Sequence, residues 1–532
     1  MRSWPHIIGF LPLLWLSAPS TWGQAPPGPS APVPEAALDS ISPGDIRGHM
    51  TFLASDLMRG RDTLSPEIRI AADYLATRLL MAGAEPAGDL VDGTPTYFAE
   101  FPLESSRPRE EQTELVLTIE RDEDRETITL NAVTDFVTVP FGLAPGEISA
   151  PLVFVGEGRE EDYADLDVAG RFILAVEAPT PEPDNPEAGA ARPATRSLFD
   201  KANRARSKGA VGIIVVHAPG AEAPPYHQTL ATFKRGFARR LISLGSRAGT
   251  NFPTIALEDP ARDQLTERLG LADVLKPGRQ PGPIDHASVT FRFALDVQVL
   301  RDRNVIGLFP GTDPEKANEV ILYSAHYDHV GTGEGEGDQI FNGSDDNASG
   351  TSALLEIAQA FGMGPRPARS IAFLWVSGEE KGLLGSRYFS DHVTLPEGYR
   401  IVGNINMDMV SRNDAHQIGI TPSPQHPKFS SLTQQAVEAC AAEGVEALFN
   451  ADQFFFRTDS ASFAAKGIPV VFFFSGLHAD YHRPSDEVDK ADFDKAARIA
   501  RVAYRLGWTA ANAPDPPHLV VAESTETPKT EP

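Results

Sequence analysis

The sequence predicts an α/β fold: a doubly wound, mostly parallel sheet with helices on both faces, plus an inserted β-rich domain. Three observations carry this. From Val289 onward, short apolar runs (NVIGLF, EVILYSA, SIAFLWVS, IVGNINMD, PVVFFFS) alternate with longer stretches of helical period. Those runs are nearly continuous rather than alternating, as strands buried on both faces should be. Between residues 143 and 288 the character changes to short β-rich runs (PLVFVG, RFILAV, VGIIVVH, FPTIALE) with one helix-like stretch, Leu198 to Lys208, between them. At 532 residues the chain exceeds one packed core.

Taken in order, residues 1–25 read as a secretory signal. Arg2 gives a positive start, Ile7 to Ala18 an apolar run, and Thr21-Trp-Gly23 or Gly23-Gln-Ala25 a small-x-small cleavage site. About twelve apolar residues fall short of the ~20 that a spanning helix needs, and no later segment is long enough either. The expected location is therefore secreted or periplasmic, with no stable membrane span after cleavage. Residues 26–36 are a Pro- and Ala-rich linker. Residues 37–142 form the amino-terminal part of the larger domain. In it Ser42-Pro-Gly-Asp45 starts one helix, and Ile68 to Met81 carries a second that ends at Gly83. Residues 143–288 are the inserted domain, with a Pro- and acid-rich loop from Thr180 to Pro193. Residues 289–512 complete the larger domain, with helices over Ser349–Phe361, Pro427–Ala442 and Ala491–Trp508. Residues 513–532, Pro- and Thr-rich, form a disordered tail.

A net charge of −26 argues against a nucleic-acid partner. Cys440 is the only cysteine, which rules out an intrachain disulfide and cysteine-based zinc or redox sites.

Chemistry gathers at strand ends. EVILYSA runs into His326 and Asp328, and a helix follows from Asp345-Asp346. SIAFLWVS leads to Glu379-Glu380, IVGNIN to Asp408, and PVVFFFS to His478, Tyr481 and His482. Strand ends of an open α/β sheet converge on one edge, so these side chains meet although about 155 residues separate them. Imidazole and carboxylate without sulfur suit zinc or a similar divalent metal. Two histidines and at least three carboxylates exceed one tetrahedral site. They fit two metals about 3.5–4 Å apart, sharing one carboxylate and a water, with a further carboxylate as general base.

The segments SAHYDHVG, SDDNASG, SGEEKGLLGS, NINMDM and YHRPSD, in that order, resemble the M28 family of metallopeptidases, co-catalytic zinc aminopeptidases with a zinc-peptidase fold. LASDLMRGRDTLSPE and GAEPAGD resemble its secreted bacterial members. DLDVAGRFILAV, KANRARSKGAVGIIVV and FPTIALE resemble a protease-associated domain. The resemblance implies two zinc ions per chain. His326, Asp346 and Asp408 would hold one, and Asp346, Glu380 and His482 the other. Glu379 would be the general base, and Asp345 a capping or loop residue. Asp328 would fix the tautomer of His326, and Tyr481 would hydrogen-bond the developing oxyanion. Substrates would be peptide or protein amino termini. One departure is visible: Arg457-Thr-Asp-Ser460-Ala-Ser-Phe463 resembles a family segment that carries His where Ser460 stands.

Bland readings stand beside these. Glu379-Glu380 at a helix start would also favour the helix dipole. His329 and His478 are read as non-ligands, with His478 the chief rival of His482. Phe454-Phe-Phe456 reads as core, with an apolar substrate pocket as the alternative. Other functions on the same scaffold are carboxypeptidase action and glutaminyl cyclisation. A non-catalytic binding protein would have lost a ligand, and none is lost. No GxSxG motif supports a serine hydrolase.

Overall fold

The computed structural model describes residues 31–121, 124–139, 143–177, 194–218, 224–238, 240–245, 251–269 and 280–520. The expected signal, the 180–193 loop and the tail beyond 520 lie outside the described residues.

The larger sheet has ten strands. At its centre Ser370–Val376, Glu319–His326, Arg400–Met407 and Val470–Phe474 lie side by side, all parallel. These strands are buried along almost their whole length, which explains their nearly continuous apolar runs. Outward, the pattern reverses. Leu295–Phe309 runs antiparallel to Ser370–Val376, and Phe98–Pro108 antiparallel to Leu295–Phe309. At the other side Gln417–Thr421 is antiparallel to Val470–Phe474. The sheet is therefore mixed, with a parallel centre, and not mostly parallel as the sequence suggested. Parallel neighbours need a crossover helix, and only the stretch after 319 supplies them in succession.

One face carries the helices Pro43–Leu53, Pro66–Ala82, Gly350–Met363, Ser431–Ala442 and Phe493–Asn512, packed on Tyr323, Phe373, Trp375 and Phe473. The other face is covered by Leu384–Asp391 and Ser460–Ala464, through Phe389 and Phe463 on Leu322 and Leu374. Local chemistry sets the helix ends. Ser42 Oγ accepts from the Asp45 amide at 3.0 Å, Ser65 Oγ from Ile68 at 3.1 Å, and Asp492 Oδ1 from Lys495 at 2.8 Å. Gly83 closes Pro66–Ala82 in the left-handed region, at φ 77°.

The second sheet has eight strands, in the order Asp124–Asn131, Glu114–Arg121, Gly282–Phe293, Gly146–Phe154, Phe172–Glu177, Gly212–His217, Thr254–Leu257, Phe136–Thr138. It starts at residue 114, ahead of the expected boundary at 143, and runs to 293 rather than 288. The reason is burial: Leu115, Leu117 and Ile119 alternate inward onto the same core as Val289 and Phe291. Among the described residues no helix is long and apolar enough to cross a membrane.

Candidate metal centre

Because the four central strands are parallel, their carboxyl ends open on one edge of the sheet. His326 is the last residue of Glu319–His326. Ser370–Val376 leads through Gly378, in the left-handed region at φ 77°, to Glu379 and Glu380. Asp408 follows Arg400–Met407, and the loop after Val470–Phe474 delivers Tyr481 and His482. Asp346 arrives by another route, on the distorted turn Ser344–Ser349 that precedes Gly350–Met363.

These residues meet in two groups that share Asp346. In one, His326 Nε2 lies 3.2 Å from Asp346 Oδ1 and 3.3 Å from Asp408 Oδ1. In the other, His482 Nε2 lies 3.1 Å from Asp346 Oδ2 and 3.2 Å from Glu380 Oε2. Within each group the prospective ligand atoms are all within 4.8 Å of one another. Asp346 thus turns one oxygen to each group. His326 Nε2 and Asp408 Oδ1 are buried without a hydrogen-bond partner, a state that costs energy unless a cation supplies the missing contact. Imidazole nitrogen with carboxylate oxygen is the donor set zinc takes.

The electrostatics agree. Burial pulls His482 down, but its hydrogen bonds to the carboxylates of Asp346 and Glu380 outweigh burial and raise its pKa to about 10. Burial likewise opposes protonation of His326, and Asp408 and Glu379 overcome it, holding the imidazolium well above its usual range. Glu380 is raised by burial and by Asp346, yet the two histidines beside it bring it to about 2. The fields in this pocket therefore favour positive charge. Glu379 differs. Burial dominates, holding its carboxyl well above the usual range, with Glu380 adding to the rise.

Several residues hold the ligands in place. Asp328, fully buried, accepts the Glu379 amide at 3.2 Å, the Glu380 amide at 3.4 Å and the Thr63 hydroxyl at 3.0 Å. His326 Nδ1 lies 3.1 Å from the Asp328 carbonyl oxygen and 3.7 Å from its carboxylate. The main chain of Asp328 thus makes the closer contact to the imidazole, while its carboxylate anchors the Glu379-Glu380 turn. Asp345 is neither a helix cap nor an idle loop residue. Its Oδ1 accepts from the Ser411 amide and hydroxyl at 2.8 and 2.7 Å, and its Oδ2 faces His478 Nε2 at 3.3 Å. That contact draws His478 away from both ligand groups. Asp486 Oδ2 accepts the amides of Asp345 and Asp346 at 3.0 and 3.2 Å, which fixes the turn carrying the shared carboxylate.

Sequence reasoning set His329 aside, yet the structure brings it to the centre. Its Nδ1 is 2.9 Å from Glu380 Oε1, and its ring meets that of His482 edge-on at 5.5 Å. It also missed Arg61. This buried guanidinium donates to the carbonyls of Leu53, Tyr327, Asn342 and Gly343, clamping the amino-terminal segment to both loops beside the ligands. Burial lowers its pKa to about 10. Asp459, next to Ser460, is buried with neither carboxylate oxygen hydrogen-bonded, and burial raises it to about 7. Its place in the segment that departs from the family pattern was the available signal.

A cavity of about 500 Å³ opens over these groups. Its floor is Asp346, Glu379, Glu380 and Asp408; its walls include Met409, Phe454, Phe472, Phe474 and Tyr481, and its mouth Phe456 and Leu477. Phe454 and Phe456 thus line the cavity, while Phe455 alone enters the core at 2 % exposure. Tyr481 stacks on His482 with ring centroids 3.9 Å apart.

Parts of the chain are similar to known proteins. Residues 304–507 match the sequence model of peptidase family M28. Leupeptin-inactivating enzyme 1 of Streptomyces exfoliatus is 31% identical over 191 residues, 35% of this chain and 38% of that protein. A probable leucine aminopeptidase of Arthroderma benhamiae is 26% identical over 208 residues, 37% of this chain and 56% of that protein. The chain thus spans between two-fifths and just over half the length of these relatives. The aminopeptidase from Aneurinibacillus sp. strain AM-1 shares the fold, with TM-score 0.53 at 20% identity, covering 91% of this chain and 97% of that one. Over residues 304–507, the chain is therefore similar to peptidase family M28.

Proposed function

We propose that the protein is an exported di-zinc aminopeptidase that removes residues from the amino termini of peptides. The observation that carries this is the pair of ligand groups joined through the two oxygens of Asp346, with Glu379 beside them. His326, Asp346 and Asp408 would hold one zinc, and Asp346, Glu380 and His482 the other. His329 turns to the second oxygen of Glu380 and so leaves Oε2 directed at His482. Zinc held there would supply Lewis acidity to the scissile carbonyl and to the attacking water.

The remaining steps belong to the chain. Glu379, whose burial raises its proton affinity, takes the proton of the attacking water and delivers it to the leaving amine. Asp328 keeps Glu379 and Glu380 in register by holding their amides. The Tyr481 hydroxyl, on the cavity wall, donates to the developing oxyanion. The substrate's amino end sits beside the metal centre, and its first side chain meets the wall of Met409, Phe454, Phe472 and Phe474. We further propose that the second sheet is a protease-associated domain, and that residues 1–25 direct export.

The test is Glu379→Gln. The variant should keep its zinc by elemental analysis and lose at least about a hundredfold in kcat, the usual worth of a general base. Retained turnover would remove Glu379 from the mechanism. Mass analysis of a digested peptide ladder reports the direction, with loss from the carboxyl end contradicting the proposal.

A further inference from the structure

The same cavity carries two arginines that the mechanism leaves unused. Arg387, on the helix Leu384–Asp391, and Arg457, at the end of Asp452–Arg457, both line it. Both are exposed, and among the described residues neither makes an ion pair within 4.0 Å. Three other cations near the centre are committed: Arg412 to Asp480 at 2.6 Å, Lys381 to Asp62 at 2.8 Å, Arg61 to four carbonyls. The carboxylate nearest Arg387 in sequence, Asp391, is paired with Lys466. Arg457 has its guanidinium over the Phe454 ring at 5.5 Å from the centroid, which holds it against the apolar wall.

In a chain of net charge −26, two guanidinium groups without an ion pair beside one cleft are an asymmetry that an anionic ligand group would match. The floor offers four carboxylates, Asp346, Glu379, Glu380 and Asp408. Two divalent ions carry four positive charges in all, so the loaded floor is close to neutral and the arginines leave the mouth positive. A guanidinium recognises a carboxylate through paired, charge-assisted hydrogen bonds. A peptide bound by its amino end at the floor presents one other fixed charge, its terminal carboxylate. In an extended chain that group lies ~3.5 Å further out per residue, so only a short peptide keeps it inside a cavity of about 500 Å³.

We infer that Arg387 and Arg457 form a carboxylate-binding subsite, and that the preferred substrates are peptides of two to four residues with an apolar first side chain and a free carboxyl terminus. This rests on the aminopeptidase reading above.

The test compares peptides in the Leu-Gly-Gly series with their carboxyl-terminal amides, on zinc-loaded full-length protein. Leucine release from the tripeptide acid should exceed that from the amide roughly ten- to a hundredfold in kcat/KM, mostly through KM, as expected for a hydrogen bond to a charged partner. The acid-to-amide ratio should fall toward one as glycines are added. It should also fall toward one in Arg387→Gln/Arg457→Gln, whose folding is checked by its melting temperature. Calorimetry with Glu379→Gln gives a second readout, tighter binding of the acid than of the amide without turnover. Equal rates on acid and amide, or a ratio independent of length, would overturn the subsite while leaving the aminopeptidase reading intact. A ratio that survives in the double variant would overturn the assignment to these arginines. Turnover of neither peptide would overturn the aminopeptidase reading and the subsite with it.

Discussion

Asp346 and Asp408 should behave differently, because only the former faces both histidines. Asp346→Asn is expected to lower zinc content by both equivalents and Asp408→Asn by one, measured by elemental analysis after gel filtration. The same residues set a pH dependence. In the metal-free protein His482 titrates at about 10 and His326 well above its ordinary range, so at neutral pH both carry a proton that a metal must displace. Raised pKa values mean that the proton competes with the metal until the pH passes them. Zinc affinity should therefore rise with pH between 6 and 8, by up to about tenfold per unit for each histidine. Calorimetric titration in buffers of different ionisation enthalpy should report about two protons released per chain. A pH-independent affinity would place both histidines outside the metal coordination. Of the residues around the centre, those at strand ends were legible in the sequence, since a parallel sheet sends its carboxyl ends to one edge. His329 was not. It lies three residues past its strand and reaches Glu380 only because the returning loop closes tightly at Gly343, where an added Cβ would come within 2.5 Å of the His329 ring. Arg61 was equally hidden, since its partners are backbone carbonyls, which no side-chain pattern records.

The helices and central strands follow from local rules, and their ends can be tested one at a time. Ser65→Ala removes the acceptor for the Ile68 amide and should cost about 1 kcal/mol. Gly83→Ala forces a Cβ into the left-handed region at φ 77° and should cost about 1 kcal/mol as well, although nothing lies within 4 Å of the new Cβ. Urea unfolding of each variant measures these values. A loss under 0.3 kcal/mol, roughly the size of an ordinary surface substitution, would show that tertiary packing alone fixes this helix. The central strands were legible because burial on both faces leaves few polar positions in the apolar run, and the buried Ser324, Asn404 and Asn406 satisfy one another by hydrogen bonds. The outer strands were not. Phe98–Pro108 alternates buried with exposed residues and includes two prolines, and what makes it a strand is its pairing with Leu295–Phe309 along eleven positions. The start of the second sheet at residue 114 was hidden for a related reason. The alternating pattern of Glu114–Arg121 says that one face is buried, but not against which sheet.

At the scale of the whole molecule, the larger sheet supplies a rigid edge and the loops beyond it supply the chemistry. The parallel order of the four central strands brings together residues from 326 to 482. Bound zinc should therefore stabilise the native state as well as activate it, because the carboxylates of the centre repel one another without a cation between them. Exhaustive chelation should lower the melting temperature by several degrees, and zinc should restore it. An unchanged melting temperature would mean that the histidines alone balance those charges. The account stands most directly on the joint role of the two ligand groups, which one titration decides: zinc added stepwise to chelator-stripped protein, with leucine release from an amino-terminal leucyl peptide followed at each step. The account predicts that activity climbs until two equivalents are bound and then stays level. Full activity at one equivalent, or none at two, would contradict it.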